Sequence, residues 1–353
     1  MTTPAPLLID SHGRTLRDLR VSVTDRCNFR CLYCLPETEA AQNFYRGRWA
    51  TLPHSEPIQH QWQPKSKILT FEEIERVVRI AVGLGIQKIR LTGGEPLLRQ
   101  KLELLVARIS SIPGVEDLAM TTNGFFFPQK AQALRDAGLR RISFSLDSLD
   151  RENFKKVTGR DGLAEVLEGI RLAQDLGMNP VKVNAVIIKG INDHEIEALA
   201  DFAVAEGVAL RFIEFMPLDS AHSWQKELVM PGREILARVQ NQHQLVEAPK
   251  RTASETARRW TFANTKGELG LISPVSEPFC GHCNRLRLTA DGNLRTCLFS
   301  IVEHDLRTRL RDGSSDDSVA RYVQSVVLQK EDRHHIGEPD FVAPERSMSC
   351  IGG

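Results

Sequence analysis

Long hydrophobic runs are missing from this chain of 353 residues. No apolar stretch approaches the roughly 20 residues that a bilayer-spanning helix needs, and residues 1–20 hold no apolar core of the signal-peptide kind. Net charge is missing as well. Lys and Arg number 46 against 45 Asp and Glu, a formal +1 at pH 7, so no global basic field attracts nucleic acid or a membrane surface. No nucleic-acid partner and no membrane partner is therefore expected. Cysteine is scarce, with seven residues. A chain of this length builds an ordinary core without disulfide staples, so free thiols and a reducing, cytoplasmic setting are the expectation. Hydrophobic residues at 41% and charged residues at 26% describe a globular protein.

What cysteine there is sits in a pattern. Six of the seven form two triplets near opposite ends of the chain, Cys27-x3-Cys31-x2-Cys34 and Cys280-x2-Cys283-x13-Cys297. A fully ligated four-iron cluster takes four thiolates, so each triplet would leave one iron open, and in catalytic metal sites the open position is where chemistry happens. Zinc is the rival reading, since Cys-x2-Cys is a frequent half of a zinc site. The first triplet argues against it, because three sulfurs wrap one loop with no fourth ligand nearby. For the second triplet, residues alone leave iron–sulfur and zinc both open, with His282 either a ligand or a loop residue. Cys350 joins neither triplet and reads as a free surface thiol.

Short β-branched runs alternate with helical patterns. Strands are expected at Leu19–Thr24, Lys88–Thr92, Asp117–Thr122, Arg141–Leu146, Val181–Ile187 and Ala209–Phe215. Thr70 with Glu73 forms a capping box ahead of the apolar face of Ile74, Val77, Val78 and Ala81. Repeated strand–helix units predict a parallel sheet. Six units fall short of the eight that close a barrel, so the expected fold is α/β, a partial, laterally open (β/α)6 TIM-type barrel with a C-terminal extension. The strands alternate rather than running uniformly apolar: Arg20 and Ser22 oppose Leu19 and Val21, and Lys88 and Arg90 oppose Ile89 and Leu91. Ser143, Ser145 and Asp147 likewise oppose Ile142, Phe144 and Leu146, and Lys182 and Asn184 oppose Val181 and Val183. The apolar faces must meet the helices, which leaves a polar, cationic lumen.

The first triplet follows the first strand directly, and Thr92-Gly93-Gly94-Glu95-Pro96 follows the second. With the aromatic Tyr33 before the third cysteine, these motifs resemble the radical S-adenosylmethionine (SAM) superfamily. That resemblance implies a [4Fe-4S] cluster on Cys27, Cys31 and Cys34 whose open iron takes the amino and carboxylate groups of SAM. Reductive cleavage then yields methionine and a 5′-deoxyadenosyl radical that abstracts hydrogen from a substrate. Further on, Cys280-Gly-His-Cys283-Asn-Arg285-Leu-Arg287-Leu runs through an Asp291-Gly292 turn to Cys297, and the chain ends Ile351-Gly352-Gly353. Arg285 and Arg287, two apart on a strand, share one face. Together these features are similar to the GTP 3′,8-cyclase family, which opens molybdenum cofactor biosynthesis, over residues 14–36 and 67–353.

The family resemblance implies a set of roles. SAM lies against Tyr33, Gly94, Ser145 and Met216. GTP lies against Arg20, Arg90, Thr121, Lys182, Arg285 and Arg287, the last two also catalytic, while Lys88 and Arg211 have suitable positions. Cys280, Cys283 and Cys297 carry a second [4Fe-4S] cluster whose open iron binds guanine. The resemblance also implies a homodimer, an electron donor that the residues do not identify, and hand-off to cyclic pyranopterin monophosphate synthase. The expected organisation is a flexible segment 1–14, a core 15–230 with an insertion at 37–66, a cluster-binding extension 231–340 and a flexible Gly-Gly tail 341–353. Relatives have a shorter link where the insertion lies, and Trp49 and Trp62 could anchor it over the cluster mouth. Two other readings stand beside this one: a peptide-modifying radical SAM enzyme with an auxiliary cluster, and a non-enzymatic zinc-binding interaction protein.

Overall fold

A computed structural model of the protein describes residues 7–38, 41, 61–219 and 224–352. The six expected strands are present: β1 (Asp18–Ser22), β2 (Lys88–Thr92), β3 (Asp117–Thr122), β4 (Arg141–Ser145), β5 (Lys182–Ile187) and β6 (Ala209–Glu214). Their edges lie within two residues of the expected ones. Helices α1 (Phe71–Gly83), α2 (Leu102–Ser110), α3 (Phe127–Asp136), α4 (Arg151–Thr158), α5 (Leu163–Asp175) and α6 (Ile196–Glu206) return the chain between them. The capping box forms as its spacing demands: Thr70 N–H donates to Glu73 at 2.7 Å, and Glu73 N–H donates to the Thr70 hydroxyl at 3.2 Å. The outward residues of the strands, among them Leu19, Val21, Ile89, Leu91, Ile142, Phe144 and Val183, are fully covered and pack with Ile74, Val77, Val78, Val166 and Ile170 in one core. Alternation thus sorts the side chains, and burial of the apolar set holds helices to sheet at roughly 1.5–3 kcal/mol for each large aliphatic residue.

The extension does not stand apart. After α7 (Gly232–Gln240) come β7 (Leu245–Ala248), β8 (Arg258–Phe262), β9 (Glu268–Ile272), β10 (Arg285–Leu288), β11 (Asn293–Arg295) and β12 (His304–Asp305). Strand β9 adds in parallel to β6, and β10 adds in parallel to β1. Among the described residues the sheet runs β12-β11-β10-β1-β2-β3-β4-β5-β6-β9-β8-β7. Its ends do not pair with each other, so the barrel is open at the side. A short segment α8 (Arg307–Arg311) and helix α9 (Asp316–Val327) finish the extension, and α10 (Met348–Ile351) closes the tail.

Three expectations need correction. The N-terminal segment is held from Leu8, which is fully covered, and Arg14 pairs with Asp10 at 2.6 Å. The tail is packed as well. Ile351 is buried with Leu218, Phe299 and Ile336, and Cys350 lies inside the same cluster rather than at the surface as a free thiol. An apolar patch under the tail rewards folding a segment whose four residues carry no legible period. Trp62 stacks under the Arg30 guanidinium at 5.5 Å, beside the first triplet; Trp49 and Gly353 lie outside the described residues. Among the described residues no helix is long and apolar enough to cross a membrane.

Candidate active site

Both cysteine triplets face one chamber. A cavity of about 490 Å³ inside the sheet is lined by Cys27, Cys31 and Cys34 and also by Cys280, Cys283 and Cys297. Ligand-binding sites typically span about 300–1,000 Å³. The residues that the resemblance assigned to SAM and GTP line it too: Tyr33, Gly94, Ser145 and Met216, then Arg20, Arg90, Thr121, Lys182, Arg285 and Arg287, with Lys88 and Arg211.

At one end, the loop after β1 carries the first triplet and is zipped to the loop after β2. Gly94 N–H donates to Thr24 O and Glu95 N–H to Arg26 O, both at 2.8 Å. This close approach is why Gly94 must lack a side chain: an added Cβ would meet the carbonyl oxygens of Arg26 and Asp25. Glu95 turns inward and gathers three donors, Leu97 N–H at 2.9 Å, the Thr122 hydroxyl at 2.7 Å and Asn123 N–H at 2.7 Å. Burial lifts its carboxyl to about 7 despite those bonds. Asp147, buried at the end of β4, accepts from Tyr33 OH and from Val186 N–H, each at 2.8 Å, and is lifted by burial to about 6. Sequence parity had put Asp147 on the lumen face; its hold on Tyr33 had no sequence signal.

At the first triplet burial outweighs the groups that favour thiolate, among them Arg30 and the Phe29 N–H beside Cys27. Burial pushes the Cys27 thiol up to about 11, and raises Cys31 and Cys34 as well. Three buried thiols that resist ionisation become thiolates when a cationic centre takes them. Among the described residues no three His, Cys, Asp or Glu side chains gather round a single point as one metal ion requires. The three cysteines line the chamber, and a four-iron cube takes one thiolate on each iron it offers. The donor set fits the iron–sulfur reading.

Opposite lies the β10–β11 hairpin. Its turn is locked by Gly292 N–H to Thr289 O at 3.0 Å and by the Thr289 hydroxyl to Asp291 at 2.7 Å, with Arg346 against Asp291 at 3.0 Å. Gly292 has φ +83°, the left-handed turn position. The Arg285 guanidinium donates to Cys283 Sγ at 3.3 Å. Burial would raise the Cys283 thiol, but Arg285 and Lys330 outweigh it and hold it near about 6.

Between the two ends runs a row of arginines produced by strand register. Arg287 is the cross-strand partner of Arg20, and Arg20 is the partner of Arg90. Strands lie about 4.8 Å apart, so like charges side by side oppose folding. Burial lowers Arg20 well below its ordinary range, and Arg287 and Arg285 lower it further. Lys182 is pushed down to about 6 by burial and then by Arg211, Arg141 and Arg90. Arg20 Nε, Arg211 Nε and Arg285 Nε are buried with no hydrogen-bond partner among the described residues. A cation cage with orphaned donors suits a polyanion, which would supply both charge and acceptors. Arg287 also donates to the Gly352 carbonyl, which brings the tail to this row. Unforeseen from the sequence are Arg251, Thr252, Ser254, Glu255 and Thr256, delivered to the chamber by the β7–β8 connection.

Comparison with known proteins agrees with this architecture. The family model described as Radical SAM superfamily matches residues 21–203, and the one described as Molybdenum Cofactor Synthesis C matches residues 208–336. The GTP 3′,8-cyclase of Syntrophomonas wolfei subsp. wolfei is 42% identical over 346 residues, covering 98% of this chain and 100% of that protein. The GTP 3′,8-cyclase of Rhodopirellula baltica is 41% identical over 357 residues, covering 100% and 94%. Among solved structures, Streptococcus suis SuiB bound to S-adenosylmethionine superposes with a TM-score of 0.59 at 13% identity, covering 96% of this chain and 78% of that one, a likeness of fold alone. Near-complete coverage at this identity, on top of the shared chamber, means that the chain belongs to the GTP 3′,8-cyclase family of the radical SAM superfamily.

Proposed function

We propose that this chain is a lyase that converts GTP to (8S)-3′,8-cyclo-7,8-dihydroguanosine 5′-triphosphate, with SAM cleaved to methionine and 5′-deoxyadenosine, the first step of molybdenum cofactor biosynthesis. The observation that carries this reading is the arginine row Arg287–Arg20–Arg90 between two cysteine triplets in a single chamber. A cluster on Cys27, Cys31 and Cys34 together with SAM supplies, when bound, one-electron cleavage of the sulfonium and a deoxyadenosyl radical for hydrogen abstraction at the GTP ribose C3′.

The chain's residues supply the rest. Gly94 leaves room for SAM beside the loop of the first triplet, Asp147 steers Tyr33, and Ser145 and Met216 complete that end. Arg20, Arg90, Thr121 and Lys182 take the triphosphate, for which guanidinium forks are suited by geometry. Arg285 and Arg287 hold the nucleotide beside Cys280, Cys283 and Cys297, which would carry a second [4Fe-4S] cluster offering an iron to the guanine base. Fixing both ends of the nucleotide sets the ribose near the site of hydrogen abstraction, so remote binding energy serves the reacting centre. A homodimer, a cytoplasmic location and hand-off of the product to cyclic pyranopterin monophosphate synthase belong to the same reading. Anaerobic reconstitution with iron and sulfide, then dithionite, SAM and GTP, tests it. Mass analysis is expected to find 5′-deoxyadenosine and a nucleotide isomeric with GTP; 5′-deoxyadenosine with GTP unconsumed would count against the cyclase.

A further inference from the structure

The hairpin that carries the second triplet splays just where its cysteines leave it. The β10–β11 ladder pairs Leu288 with Leu294 and Arg287 with Arg295, and ends there. Two residues further the same register would set Arg285 against Cys297, but the strands have parted. Lys330 fills that mouth. It is 3% exposed, and its Nζ donates to Arg285 O at 3.1 Å on one strand and to Thr296 O on the other. These carbonyls lie two residues from Cys283 and one from Cys297. The residues beside Lys330 extend the brace. Glu331 accepts the Thr296 hydroxyl at 2.7 Å, while Arg14 donates to Cys280 O at 3.0 Å and to Asp332 O at 2.8 Å. The Arg14 charge is matched by Asp10; the contacts of Lys330 Nζ are neutral carbonyls.

The geometry points to Lys330 as a positioning residue of the second cluster: it bridges the two strands that bear Cys283 and Cys297, and its buried ammonium offsets the cluster's negative charge. The inference rests on the two-cluster reading proposed above. A neutral donor could join the carbonyls, but a full positive charge does more to lower the electrostatic cost of adding an electron to a cube already held by three thiolates. Groups outside the direct ligands tune metal sites in this way, and the effect is strong in a low-dielectric interior.

The test uses the full chain with both clusters reconstituted anaerobically, counts iron and sulfide, and titrates each cluster's reduction by electron paramagnetic resonance. In K330M the second cluster is expected to become about tenfold harder to reduce, equivalent to about 59 mV for one electron, with the first cluster unmoved. K330R, which keeps the charge, should restore the potential; K330Q, which keeps a donor without charge, should behave like K330M. Loss of the second cluster's iron in K330M and K330Q but not in K330R would support the same role. Wild-type potentials at both clusters in K330M and K330Q, or equal shifts in K330Q and K330R, would overturn it. Four irons rather than eight per wild-type chain would instead strike at the two-cluster reading.

Discussion

On the proposed reading, Lys182 is placed to meet the triphosphate at the expense of its own charge. With burial and the guanidinium groups of Arg211, Arg141, Arg90 and Arg251 holding it at about 6, it is mostly neutral at pH 7.5 in the free chain. A triphosphate beside it favours the charged form and raises that value. Between the free and bound values, binding therefore carries a proton with it, and affinity for GTP should fall as pH rises above about 6 until the bound value is reached. Calorimetry in buffers of different ionisation enthalpy should register net proton uptake on GTP binding near pH 7.5; zero uptake would contradict the placement. Arg285 allows a second forecast. Its fork spans Cys283 Sγ and the chamber, and a charge-assisted hydrogen bond contributes about 1.5–3 kcal/mol. Arg285→Ala should lower kcat/KM for GTP by roughly 10–100-fold while the iron content stays at the wild-type value. Unchanged GTP kinetics would remove Arg285 from the nucleotide site.

Secondary elements divide cleanly into those visible in the sequence and those set by tertiary contact. Strands β1 to β6 were legible because two-residue alternation records which face meets the helices. Their lumen residues, from Arg20 to Lys182, were legible for the same reason. Strand β10 could be read as a strand from Arg285-Leu-Arg287-Leu, but nothing local says that it docks on β1 in a register that aligns Arg287 with Arg20. The same holds for β9 on β6 and for the β7–β8 connection that reaches the chamber. The packed tail was misjudged for a related reason: Ile351 and Cys350 are buried by an apolar patch assembled from Leu218, Phe299 and Ile336, which are remote in sequence. Loop geometry gives a prediction at this scale. Gly94→Ala drives a methyl into the main chain of the loop that leads to Cys27, so the loops after β1 and β2 must part. The first cluster's iron should be lost while the second cluster's is retained, a difference that visible absorption and iron counting would read. A variant that keeps both clusters and wild-type turnover would show that the two loops need not touch.

For the whole molecule, what matters is that a chain with a balanced overall charge gathers a set of cations inside one chamber. The open sheet gives those cations a wall, the first triplet closes one end, and the C-terminal hairpin brings the second triplet to the other. Neither half of the chain builds this chamber alone, since β10 belongs to the extension and lies directly against β1. The arrangement requires that SAM and the ribose of GTP meet in that one space. GTP carrying deuterium at C3′ tests the requirement most directly. A single turnover should transfer one deuterium into 5′-deoxyadenosine, detected by mass. Deuterium-free 5′-deoxyadenosine formed alongside cyclised product would contradict it.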